Sequence, residues 1–266
     1  MLRQRIITAV WLAPLMLAGL FGLQGGAFAA FTAAMVLLAA WEWTNLAGVA
    51  EPNQRLALVA GLAVVMLLLW ATGAMLAVWP LWLALMGWLA NLYWVIHYPT
   101  KGEQWQSTLR RLAMGVWVLL PAWVGFNILR DAGAVWLLYV LLLVWGADIG
   151  AYFSGRAWGR RKLAPRVSPG KSWEGVFGGL IVTFLLALVF AVWQGLGMAG
   201  GVALVLVTAV VTLVSVLGDL VESMLKRYRG IKDSSNLLPG HGGVLDRIDS
   251  LTAAVPLFAL LSLGVL

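Results

Sequence analysis

Cysteine is absent from the chain. That excludes a disulfide framework, an iron–sulfur centre and a cysteine nucleophile. Histidine is scarce: His97 and His241 are the two in the sequence. They are too few for most histidine-based metal sites, and without cysteine a structural zinc lacks its usual ligands. Charge is the third shortage. Only 11% of the 266 residues are charged while 62% are apolar, against about 25% and roughly 45–50% in an ordinary soluble domain. No soluble fold of this size can bury such an excess, so lipid must be the solvent for most of the chain. Internal repeats, low-complexity tracts and a separate soluble domain are not visible.

What is present is a succession of apolar runs. A spanning helix needs about 20 mostly apolar residues, and candidates fall near 6–23, 27–48, 55–71, 74–96, 112–129, 133–153, 174–196, 200–226 and 250–266. Breaks fall at Gly25-Gly26, Glu51-Pro52-Asn53, Gly73, Pro99 to Arg111, Arg130-Asp131 and Gly197 to Gly201, all residues of the kind that punctuate helices. The prediction is an all-α, polytopic transmembrane helical bundle of about nine spans, or eight if the runs either side of Thr72-Gly73 are one. The first residues imitate a secretory signal, with Met-Leu-Arg-Gln-Arg before an apolar run and Ala27-Phe28-Ala29 after it. The run from Ile6 to Leu23 is about 18 residues, long for a signal core, and it reads as an uncleaved first span.

Positive charge partitions cleanly across these spans. With a cytoplasmic N-terminus, the inside loops hold Arg3, Arg5, Arg55, Lys101, Arg110, Arg111, Arg156, Arg160, Arg161, Lys162, Arg166 and Lys171. They also hold Lys226, Arg227, Arg229, Lys232 and Arg247, which leaves Arg130 outside. This is the distribution that sets orientation in bilayers. The net charge of +7 is then a property of one face, suited to anionic headgroups and phosphates. The sixteen tryptophans suggest interfacial belts, as at Trp41, Trp43, Trp79 and Trp82. Residues 1–130 read as N-terminal scaffold helices and residues 131–266 as a catalytic region with cytoplasmic loops, within one membrane domain.

Charges inside a bilayer are costly and usually functional. Glu42, Asp148, Glu174, Asp219 and Glu222 lie within or at the ends of predicted spans. Glu42 stands alone between Trp41 and Trp43, where an interfacial structural role serves as well as any other. Asp219, Glu222, Ser223 and Lys226 recur at i, i+3, i+4 and i+7, so one helix face carries all four. A bland alternative for that face is a structural Asp–Lys ion pair. The loop that follows is dense in phosphate-binding groups. Lys226, Arg227 and Lys232 can neutralise phosphate oxygens, and Pro239-Gly240-His241-Gly242-Gly243 permits close approach of backbone amides to an anion. Asp246 and Asp249 lie at i and i+3 and can open the last helix. Carboxylates together with bound phosphates form the hard-oxygen set that Mg²⁺ prefers. A second cluster runs from Asp148 to Arg156 and from Ser168 to Gly175. There Ser168 or Ser172 can cap a helix whose N-terminus also favours phosphate, and Lys171 stands nearby without the glycine pattern of a P-loop.

The segment Ser223 to Asp249 resembles the signature of the CDP-diacylglycerol synthase (phosphatidate cytidylyltransferase) family. That signature is Ser-x-Leu-Lys-Arg, four residues, Lys-Asp, a short spacer, Leu-Pro-x-His-Gly-Gly and Asp-Arg-x-Asp, and every fixed position is present. The stretches Asp148 to Gly155 and Ser168 to Gly175 are similar to the family's upstream motifs, while the N-terminal half resembles it in hydropathy alone. The resemblance implies the reaction CTP + phosphatidate → CDP-diacylglycerol + pyrophosphate, a committed step of phospholipid biosynthesis. It implies a multi-pass protein of the bacterial inner membrane, a homodimer, and dependence on Mg²⁺, in some members with a second cation such as K⁺. The metal carboxylates of the family match Asp219 and Asp246.

On this reading the catalytic residues are Asp219, Asp246, Lys226 and Arg227. Ser223, Lys171, Ser168, Lys232, His241, Gly242, Gly243 and Arg247 contact substrate, and Asp148, Glu174, Glu222, Asp233 and Asp249 surround the metal. His241 serves as a hydrogen-bond donor or loop organiser, since a phosphate nucleophile needs no strong base. The partners are CTP, phosphatidate and membrane lipid, without nucleic acid. A secondary transporter would instead show inverted repeats and midplane chemistry, a CDP-alcohol phosphotransferase would carry an Asp-Gly-x-x-Ala-Arg motif that is missing here, and an isoprenoid-ether lipid phosphate stays open as the acceptor.

Overall fold

The computed structural model describes residues 2–263, with side chains described from Val10 onward except at Leu12 and Ala13. Nine helices run through the described residues: α1 (Leu2–Gly22), α2 (Gly25–Leu46), α3 (Pro52–Ala71), α4 (Trp79–Ile96), α5 (Thr108–Ala132), α6 (Ala134–Trp158), α7 (Trp173–Trp193), α8 (Met198–Arg229) and α9 (Leu245–Leu261). Seven of them, α2 to α8, are long and apolar enough to cross a membrane. With α1 and α9 they match the nine predicted runs one for one; residues 264–266 of the last run lie outside the described residues. The two runs flanking Thr72-Gly73 are separate helices. Gly73 takes φ +74°, a 3₁₀ turn covers Ala74–Leu76, and Pro80 follows at the start of α4. That sequence of a left-handed glycine and a proline stops one helix and starts the next.

Burial orders the bundle. Of the spanning window in α5, 72% is buried, against 6% in α3, so α5 is the central helix and α3 lies at the periphery. α5 packs on α2, α4 and α9, while α6, α7, α8 and α9 form a second group in consecutive contact. Outward positions carry large apolar side chains such as Val64, Leu67, Trp82, Ile181 and Val189, as expected where the solvent is hydrocarbon. Trp79 and Trp82 face outward as predicted, but Trp43 does not belong to a belt. It is 3% exposed and its indole N–H donates to the Arg111 carbonyl at 2.7 Å, because a buried indole must find an acceptor.

α8 is the longest element at 32 residues, which is about 48 Å against roughly 30 Å of hydrocarbon. It is therefore long enough to carry its charged C-terminal end beyond an apolar layer. Between α6 and α7 a short antiparallel hairpin forms from β1 (Lys162–Ala164) and β2 (Ser168–Ser172), with Lys162 opposite Ser172 and Ala164 opposite Ser168. No period-2 pattern marks these two strands in the sequence.

The cation-bearing loops meet at one end of the bundle. Arg111 donates through Nε and Nη2 to the Ala47 carbonyl at 3.0 and 2.7 Å and stacks 4.6 Å from the centre of the Tyr228 ring. Arg227 Nε donates to the Val167 carbonyl at 3.1 Å. Arg130 binds elsewhere, on the Leu23 carbonyl at the α1–α2 turn. The side chains of Arg3 and Arg5 lie outside the described residues.

Candidate functional site

The stripe on α8 forms as its spacing predicts. Ser223 Oγ donates to Asp219 Oδ1 at 3.1 Å, and Lys226 Nζ donates to Glu222 Oε2 at 2.8 Å. α9 is drawn close to it at Gly218, where a Cβ would stand 2.5 Å from the Asp249 carbonyl oxygen and 3.0 Å from Ser250 Cα. Any larger residue would push the helices apart, so this glycine sets the distance at which α9 adds its carboxylates. Lys226 Nζ then reaches Asp246 Oδ1 at 2.7 Å. The three side chains are nearly buried, with Glu222 2%, Asp246 5% and Lys226 14% exposed. Two carboxylates can share so dry a place because one ammonium lies between them. Asp249 lies within electrostatic reach of Asp219, Lys171 and Lys226.

Asp246 also organises the glycine-rich loop. Its Oδ2 accepts hydrogen bonds from Ser234 N at 2.9 Å, Ser234 Oγ at 2.8 Å and Gly243 N at 2.7 Å. The amide of Gly243 is thus turned onto a carboxylate of the protein, and that of His241 onto the Leu238 carbonyl at 2.8 Å. Glycine is required at 243 for close packing: a Cβ there would overlap Ser234 Oγ and stand 2.5 Å from Glu42 Oε1. Arg247 Nε donates to the His241 carbonyl at 3.0 Å. Among the buried side-chain atoms without a hydrogen-bond partner within the described residues are Glu222 Oε1 and His241 Nδ1.

The hairpin supplies the second wall. Lys171 Nζ lies 2.7 Å from Asp219 Oδ2, with side chains 24% and 34% exposed. Ser172 caps α7, its Oγ accepting from Gly175 N at 3.2 Å; Ser168 lies in β2 and caps nothing. Glu174 accepts from the backbone N–H groups of Arg160 and Arg161 and from Arg161 Nε at 3.4 Å, so it fixes the entry to the hairpin. Arg227 clamps the hairpin turn through Val167. Asp148 lies within electrostatic reach of both Lys171 and Asp219. Lys232, Asp233 and Arg247 are exposed at the same end.

An apolar cavity of about 660 Å³ adjoins this cluster, bounded by α4, the hairpin, α7 and α8 and lined by Tyr98, Val167, Trp173, Val214, Leu217 and Leu220. Arg166 lies on its wall. Leu217 and Leu220 flank Asp219 on the same turns of α8, so a charged site and an apolar chamber share one helix.

Glu42 is a residue of this cluster that sequence reading left unassigned. It is fully buried on α2 and its carboxylate reaches the loop 192 to 203 residues away. A signal existed, since an isolated acid within a span is expensive and calls for a partner. Nothing in one sequence names that partner.

No group of three or more His, Asp or Glu among the described residues is spaced to hold a metal ion unaided. The chemistry of the donors nevertheless fits Mg²⁺ that shares its shell with phosphate oxygens and water. Asp219 is a hard, partly exposed oxygen donor whose present counter-charge is Lys171, and Glu222 Oε1 is a buried oxygen without a partner. Asp246 fits through Oδ1 alone, which carries only the Lys226 ammonium, because its Oδ2 is filled by three donors.

The chain is 52% identical to the phosphatidate cytidylyltransferase of Pseudomonas aeruginosa over 264 residues, covering 98% of this chain and 97% of the relative. It is 43% identical to that of Haemophilus influenzae, covering 97% and 98%, and 36% identical to that of Brucella suis, covering 97% and 92%. Residues 3–263 match the sequence model of the cytidylyltransferase family, and the chain belongs to that family.

Proposed function

We propose that the protein is a phosphatidate cytidylyltransferase that joins CTP and phosphatidate into CDP-diacylglycerol and pyrophosphate. The observation that carries this reading is the adjacency on α8 of the charged stripe at Asp219 and the apolar cavity walled by Leu217 and Leu220. A lipid phosphate needs both surroundings at once. The relatives' names support the same activity. The site would work at the cytoplasmic face of a bacterial inner membrane, in keeping with the one-sided charge distribution. The homodimer rests on the family resemblance, and no nucleic acid has a part.

The chemistry asks for little covalent help from side chains. An oxygen of the phosphatidate headgroup attacks the α-phosphorus of CTP; a new P–O bond forms as the α–β P–O bond breaks, and pyrophosphate carries the electron pair away. The nucleophile is already an anion at neutral pH, so no side chain need remove a proton. Positioning and charge neutralisation therefore dominate. The exposed cations Lys232 and Arg247 receive the triphosphate from water, and His241 Nδ1 offers a buried hydrogen-bonding atom at the loop. Lys171, on the hairpin wall, exchanges its contact with Asp219 for a phosphate oxygen. Lys226 keeps Glu222 and Asp246 together, and Arg227 holds the hairpin in place. Asp219, with Asp246 Oδ1, would hold Mg²⁺, or Mg²⁺ with a second cation such as K⁺. Such an ion supplies charge stabilisation for the phosphates when bound. The cavity takes an acyl chain.

Purified protein incubated with cytidine-labelled CTP, phosphatidate and Mg²⁺ should yield a labelled CDP-lipid and one pyrophosphate for each. Absence of that lipid, or an equal yield without phosphatidate, would refute the assignment.

A further inference from the structure

We propose that Glu42, on the far side of the sequence from the signature loop, is a positioning residue that sets the loop for CTP. This deepens the proposed cytidylyltransferase reading and rests on it for its kinetic consequence. Each Glu42 oxygen accepts one backbone amide of the α9 entry: Oε1 from Val244 N at 3.0 Å and Oε2 from Leu245 N at 2.6 Å. Hydroxyls complete the set. Ser235 Oγ lies 2.6 Å from Oε1, and Ser234 Oγ lies 3.3 Å from Oε2. Ser234 Oγ is nearer to Asp246 Oδ2, at 2.8 Å, and its single proton belongs to that contact. Ser234 thus stands between the two carboxylates and bonds Asp246, which also accepts from Lys226, while Ser235 donates to Glu42.

The chemistry permits no ordinary substitute. Backbone N–H groups can only donate, so both oxygens at 42 must accept, which a carboxylate does and an amide cannot. The groups it satisfies are among the orphan donors of a helix N-terminus, where negative charge is also favoured by the helix dipole. The location is fully buried, so an unmet donor there has no water to turn to. Glu42 therefore holds both ends of the segment from Ser235 to Leu245. Between those ends lie His241 and the glycines, and just beyond them Arg247. A loop released from Glu42 would keep its charges but lose their common geometry. That loss would fall on the nucleotide and spare the lipid, whose cavity is built from α4, α7, α8 and the hairpin.

The test compares the full-length protein with Glu42→Gln, Glu42→Asp and Ser235→Ala in the same detergent or nanodisc. Glu42→Gln should lower kcat/KM for CTP by about tenfold or more, as loss of a buried charge-assisted hydrogen bond implies, with the KM for phosphatidate changed less than about twofold. Glu42→Asp, which keeps two acceptors on a shorter arm, should recover part of the loss. Amide hydrogen exchange at Val244 and Leu245 should quicken in Glu42→Gln and be slowed again by CTP with Mg²⁺. Wild-type kinetics in Glu42→Gln would overturn the proposal. So would an equal loss for both substrates together with a fall in helix content. If Glu42→Gln does not fold, Ser235→Ala decides: a selective rise in the KM for CTP supports the proposal and an unchanged KM refutes it. Should the wild type make no CDP-lipid, the activity reading falls, while the exchange rates at 244 and 245 still decide whether Glu42 sets the loop.

Discussion

Lys171 on the hairpin and Asp219 on α8 form an ion pair of 2.7 Å between Nζ and Oδ2. They are 48 positions apart in the chain, and both remain partly open to solvent. A pair of this kind contributes little to stability, less than about 1 kcal/mol. Lys171→Met should leave thermal unfolding in detergent almost unchanged and lower CDP-lipid formation at least about a hundredfold, as loss of a charge on a transferring phosphate does. Lys101→Ala, an exposed loop charge, should leave both measurements alone. Equal effects of the two substitutions would remove Lys171 from the site.

Asp219 and Asp246 should separate when each is changed to asparagine. Both variants should lose nearly all turnover with Mg²⁺. Asp219→Asn alters a partly exposed group and should unfold at close to the wild-type temperature. Asp246→Asn can still accept from Ser234 and Gly243, but it then presents an amide to the Lys226 ammonium. That mismatch should cost about 1–3 kcal/mol, seen as a lower unfolding temperature. Wild-type-like turnover in either variant would take it out of the metal set.

Lys226 is the buried hinge of the charge cluster. Lys226→Met leaves Glu222 and Asp246 side by side without their cation, an arrangement that should cost about 3–5 kcal/mol. Thermal unfolding should show the loss at neutral pH and part of it should return in mild acid, where a carboxyl can take up a proton and shed its charge. A stable variant with no pH dependence would mean that the pair is neutralised in another way.

The cavity gives a prediction for the lipid side. Val214→Trp places bulk in the chamber while leaving the charged stripe untouched. The KM for long-chain phosphatidate should rise by about tenfold with the KM for CTP unchanged, and a short-chain phosphatidate should suffer less. Equal effects on both lipids would assign the chamber to something other than an acyl chain.

Much of this protein is written into the order of its residues. Apolar runs of spanning length fixed the number and order of the helices, since each run must satisfy its own backbone hydrogen bonds in lipid. The stripe at 219, 222, 223 and 226 was legible because helical periodicity is local. Boundaries were less so: α9 begins at Leu245, five residues before its apolar run, because Glu42 and Asp246 satisfy amides at its entry. The hairpin at 162–172 was also hidden, as two short polar strands carry no pattern of burial.

Residue order was enough to read that the chain lives in lipid, that its cations gather on one face, and that Ser223 to Asp249 carries the family likeness. These follow from composition and spacing along one chain. The tertiary structure alone decided the pairings: Lys171 with Asp219, Lys226 between Glu222 and Asp246, and Glu42 under the glycine-rich loop. A pairing depends on how closely helices approach, and that distance is set by contacts such as Gly218 against Ser250 that no local pattern encodes. So Ser223 to Asp249 supplied the family likeness, whereas a lone glutamate 181 positions before it completes the loop.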